Sequence, residues 1–120
     1  MSHASFEHSD ARIRAVRLRD RLVALQVLVD ELPRSIASAR EGSGAGKGTD
    51  ARRLWEDART LADAVVQCHA LRGLVIAAMH SAPAGDRALR EFLLRTLEGS
   101  QALVARAESS TKVHSLAQRH

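Results

Sequence analysis

From Ala11 onward the apolar residues recur at alternating steps of four and three: Ala11, Ala15, Leu18, Leu22, Leu25, Val29, Leu32, Ile36 and Ala39. A second run keeps the same rhythm through Leu54, Ala58, Leu61, Val65, Cys68, Arg72, Val75, Met79 and Ala82, with a single arginine on the line. A period near 3.5 residues puts every member on one side of an α-helix and favours left-handed packing against partner helices. A half-buried strand would alternate at every second residue instead. Leu89, Phe92, Leu93, Leu97, Leu103, Val104 and Ala107 give a third apolar side. Ala and Leu supply most of the apolar residues and Tyr is absent, a usage that suits helices and starves strands.

The breaks set the element count. Ser9 or Asp10 is suited to cap a first helix, Thr49 or Asp50 a second and Asp86 a third. Residues 41–49, with four glycines in Glu41–Gly48, read as a flexible linker, and Pro83-Ala84-Gly85 reads as a short turn. Pro33 lies inside the first run, where its missing N–H and its ring predict a kink or a break. The expected fold is all-α: one domain over residues 1–120, an antiparallel up-down bundle of three long helices, or four if the first breaks at Pro33. Residues 1–8 and 109–120 are expected to fray at the two ends.

Several function classes are disfavoured. Cys68 is the only cysteine, so no internal disulfide can form. The first ten residues are polar and contain no secretory h-region, and the longest purely apolar run, Leu74–Met79, is too short to span a bilayer. A cytoplasmic location and no membrane span are expected. Gly44-Ala45-Gly46-Lys47-Gly48-Thr49 looks like a phosphate-binding loop, but Glu41 stands where that loop requires glycine, and no strand precedes it. The formal charge is +4, and Arg12, Arg14, Arg17, Arg19 and Arg21 crowd the start of helix one. They fall on both flanks of the seam with no interleaved aromatic, which disfavours a nucleic-acid role and suits interhelical pairing. No spacing of metal-ligating residues and no cofactor motif is present.

One segment interrupts the apolar pattern with polar chemistry: Cys68-His69-Ala70-Leu71-Arg72-Gly73. Arg72 falls on the seam line and His69 beside it, and Gly73 costs the helix about 1 kcal/mol relative to alanine. Three choices that each oppose stability suggest a use. The segment resembles the phosphoacceptor motif of histidine-containing phosphotransfer domains, which are helical bundles of similar length. That resemblance implies that His69 accepts a phosphoryl group, that Arg72 stands in for a lysine beside it, and that Gly73 clears space for an incoming partner. Leu74 and Val75 are bulkier than the residues that family places after its glycine.

With no catalytic constellation beyond that segment, the sequence is read first as a non-enzymatic helical interaction module: an adaptor, a chaperone-like protein or a self-associating one, binding a protein partner or itself through helix faces. Phosphotransfer at His69, with Arg72 and Gly73, is the alternative. Trp55 is expected to anchor packing near one end of the bundle.

Overall fold

The computed structural model describes the backbone of residues 2–41 and 47–118, with side chains described for residues 9–38 and 51–112. It is all-α, with three helices that each pack against the other two: α1 (Ser2–Glu41), α2 (Lys47–Ser81) and α3 (Arg87–Gln118). The glycines at 42, 44 and 46, the centre of the expected linker, lie outside the described residues.

α1 runs unbroken through Pro33, so the bundle has three helices, not four. An interior proline costs a helix about 3 kcal/mol. The residues around it supply the offset: Leu32 and Ile36 are both buried and cluster with Leu61 and Leu54 of α2. Each such side chain contributes about 1.5–3 kcal/mol on burial. The boundaries also differ from the expected ones. α1 begins at Ser2 rather than near Ser9, α2 begins at Lys47 rather than after Thr49 or Asp50, and α3 extends to Gln118 although its apolar pattern weakens after Ala107.

The predicted seam of α1 is its buried line from Ala15 through Ile36. The seam of α2 is displaced. Leu61, Ala64, Cys68, Leu71, Val75, Ala78 and Ala82 are buried, while Val65 and Met79 are half-buried and Arg72 is exposed. α2 packs against two neighbours, so its covered arc is wider than one heptad line and is centred toward Leu71. Arg72, at the edge of that arc, puts its guanidinium into water at no desolvation cost.

α3 closes the core with Leu89, Leu93, Leu103, Val104 and Ala107, together with Thr96 and Ser100, which apolar spacing misses. Their hydroxyls are satisfied within the helix: Thr96 donates to the Phe92 carbonyl (2.9 Å) and Ser100 to that of Leu97 (2.8 Å). Small residues here let α3 approach α1. A Cβ built on Gly99 would lie 2.9 Å from Leu22 Cδ2. Asp86 caps α3 as expected, its Oδ1 accepting the Leu89 N–H at 3.2 Å. Trp55 is no packing anchor. It is 63% exposed, with the Arg59 guanidinium 5.5 Å from its ring centroid.

Candidate functional site

Burial of Cys68 and Leu71 fixes the orientation of the segment between them. Because those two face the core, His69, Ala70, Arg72 and Gly73 face solvent. His69 is not a core histidine: its side chain is 46% exposed. Its Nε2 lies 2.6 Å from Glu108 Oε1 on α3. An ionised carboxylate can only accept, so Nε2 carries the proton of this contact. In the neutral imidazole the lone pair then resides on Nδ1, the atom available for nucleophilic chemistry. The helix thus supplies an imidazole oriented by a carboxylate from the neighbouring helix.

Arg72 stands about one turn further along α2, exposed, with no hydrogen bond or ion pair to another described residue. Around Gly73 a Cβ would meet nothing within 4 Å. The contrast with Gly99 is informative: Gly99 accommodates Leu22, whereas no contact inside the bundle requires a glycine at 73. All three residues of the motif lie on the solvent side of α2, open to an incoming molecule.

Beyond them, between α2 and α3, runs an apolar groove of about 440 Å³ lined by Ile76, Met79, Leu94 and Leu97, with His80, Arg90 and Glu91 at its rim. Ile76 and His80 lie on the same side of α2 as His69, roughly 10 Å and 16 Å along the axis. A smaller groove of about 240 Å³ lies between α1 and α3 beside Val16 and Phe92.

Other polar clusters serve the bundle itself. Ser35 donates to Asp57 (2.8 Å) across α1 and α2, Arg106 pairs with Asp30 across α3 and α1, and Arg19 lies over the Phe92 ring at 5.6 Å. Of the basic run on α1, Arg12 and Arg19 are therefore engaged in interhelical contacts. The Cys68 thiol is buried, and desolvation raises its pKa above the ordinary value, which disfavours the nucleophilic thiolate. Among the described residues no three His, Cys, Asp or Glu side chains converge as metal ligands would.

Large apolar side chains left in water form the second feature. On α1 these are Leu28 (36%) and, in one register, Ile13 (51%), Val16 (42%), Val23 (50%) and Val27 (48%). With Asp20 the four in register make a second heptad line, nearly opposite the buried one. Sequence reading missed it because the buried line already accounted for the periodicity, although the steps 13, 16, 20, 23, 27 are written in the chain. On α2 the exposed ones are Trp55, Val66 and Leu74. By length and composition Ala51–Ser81 is the one stretch among the described residues apolar enough to cross a membrane, with mean hydropathy 1.4 over its best window, of which 33% is buried. A core helix of a bundle meets the same measure.

No protein-family model, no curated protein and no solved structure matches this chain.

Proposed function

We propose that the protein is a helical interaction module that binds partner helices through the outward apolar lines of α1 and α2. The observation that carries this is the line Ile13, Val16, Val23 and Val27, each about half exposed and set at the spacing that another helix would meet. Fully burying an exposed valine or isoleucine is worth about 1.5–3 kcal/mol, and these four are already about half covered, so each contributes about half of that toward the cost of association. Scattered single apolar residues on a surface require no explanation, but a line in register does. The test is a photo-reactive amino acid placed at Val23, at Val66 and, as control, at Glu56 in the producing cell. Discrete adducts at Val23 and Val66 with none at Glu56 are expected. Equal labelling at all three positions would refute the reading.

A second reading, phosphotransfer, is favoured by the exposure of His69 beside an exposed Arg72 and an unobstructed Gly73. In it, Nδ1 attacks the phosphorus of a phosphoryl donor, the bond to the donor's leaving group breaks, and Arg72 faces the transferred oxygens. Phosphoramidate treatment read by phosphorus NMR tests it. A phosphohistidine resonance absent from His69→Ala supports it, and no resonance from folded wild-type protein rejects it.

A further inference from the structure

We infer that the cavity beside Pro33, between α1 and α3, binds a small hydroxylated phosphate ester. Its phosphoryl group meets Arg34 and two serines of α3, and a hydroxyl meets the carbonyl of Val29. The site is separate from the outward apolar lines and from His69, and it depends on neither reading of them.

Pro33 sits inside α1, where proline opposes helix stability. Burial of Leu32 and Ile36 accounts for the helix surviving it, not for the choice of proline. A local rule broken with no gain in stability is expected at functional positions. The chemical consequence is definite. Proline has no N–H, so the carbonyl four residues earlier, that of Val29, loses its helical donor. A carbonyl in that state takes a donor from outside the helix. Val29 and Pro33 together line a cavity of about 380 Å³, a volume within the range of small-molecule sites.

The other groups around this cavity are also uncommitted. Arg34 is exposed and makes no hydrogen bond or ion pair with another described residue. Ser109 and Ser110 line the cavity from α3, Ser110 half-buried. Elsewhere in the bundle helical hydroxyls turn back onto their own helix: Thr96 onto Phe92, Ser100 onto Leu97 and Thr111 onto Ala107. Ser109 and Ser110 do not, nor do they bond any other described residue. Arg106 and Asp30, paired across α3 and α1, complete the wall. Two arginines against one aspartate leave the cavity one positive charge.

That inventory selects the ligand. A guanidinium and two hydroxyls offer several donors on one side, which suits a group that accepts through three oxygens at once. A phosphoryl group does so better than a carboxylate. The Val29 carbonyl and the Asp30 carboxylate only accept, so the same molecule must also donate, as a sugar or polyol hydroxyl does. Inorganic phosphate is too small to engage both sides of the cavity, and an uncharged sugar leaves Arg34 without a partner.

Titration of the ¹⁵N-labelled full chain with ribose 5-phosphate, followed by amide shifts, tests the inference. Saturable shifts are expected at residues 29–34 and 106–110. Arg34→Gln and the double variant Ser109→Ala, Ser110→Ala should each weaken binding by about tenfold. Arg95→Gln, an exposed arginine elsewhere on α3, should leave it unchanged. Pro33→Ala is the sharpest arm. It returns an N–H to the Val29 carbonyl, so it should bind about tenfold more weakly while melting at a higher temperature than wild type. No saturable shift up to about 10 mM ligand overturns the inference. So does an affinity unchanged in Arg34→Gln or in Pro33→Ala. Inorganic phosphate or ribose binding as tightly as ribose 5-phosphate overturns it as well, because a single end would then account for all the affinity.

Discussion

Arg12 Nε lies 3.2 Å from Oδ2 of Asp86, joining α1 to the first turn of α3 across 74 residues of sequence. The other oxygen, Oδ1, caps the helix through the Leu89 N–H. One carboxylate thus starts α3 and fixes where it sits on α1. The Asp86 side chain is 5% exposed, but Arg12 is 63% exposed, so solvent screening holds the ion pair to at most about 1 kcal/mol. The cap contributes a further 0.5–2 kcal/mol or so. Asp86→Ala is expected to lower unfolding stability by about 1–3 kcal/mol, and Arg12→Ala by less than about 1 kcal/mol, both read by urea denaturation. Equal losses would show that the cap contributes nothing.

The displaced seam of α2 is testable at two adjacent positions. Leu71 is 1% exposed within the main core cluster, and its truncation to alanine should cost about 2–5 kcal/mol. Arg72→Ala, at the exposed neighbour, should fall within about 0.5 kcal/mol of wild type. The reverse order in thermal melts would restore the seam that simple heptad counting draws.

The two helical glycines should respond oppositely. Gly73→Ala meets open space and removes a helix-disfavouring residue, so a gain of about 0.5–1 kcal/mol is expected. Gly99→Leu drives a side chain into Leu22, and overpacking of this kind costs about 1–3 kcal/mol. Chemical denaturation of both variants checks the pair, and a loss at Gly73 would mean that the glycine serves packing inside the bundle.

Cys68 should be nearly inert in the native state. Burial raises its pKa, so folding favours the neutral thiol. The native value lies above the unfolded one. The associated stability is therefore complete below the ordinary thiol range near 9.0 and is lost as pH climbs through the native value. Labelling with an aromatic disulfide at pH 8 should be slow in buffer and fast in denaturant. Comparable rates would place the thiol at the surface.

Much of the fold was legible in the chain. Three apolar runs gave three helices, the α1 line from Ala15 to Ile36 is the buried line, and Asp86 caps where an Asp after a Pro-Ala-Gly turn should. Periodicity along a single helix carries that information because the spacing of side chains around an axis is a local property. Of the candidate site, the sequence marked His69, Arg72 and Gly73 as out of place in an apolar helix, and their solvent-facing arrangement belongs to the fold.

Tertiary structure decided the rest. Spacing fixes angles around one axis but not how wide an arc the neighbours cover, so only packing could choose Leu71 over Arg72, bury Thr96 and Ser100 and leave Trp55 in water. Whether Pro33 breaks α1 depends on what Leu32 and Ile36 gain by burial, a quantity absent from the chain's local pattern. The pairing of His69 with Glu108 joins residues 39 apart, and no spacing rule within a helix reaches that far. The sequence determined which segments become helices because that choice is local. The bundle determined which faces are covered, and therefore which remain in water, because coverage depends on all three helices together.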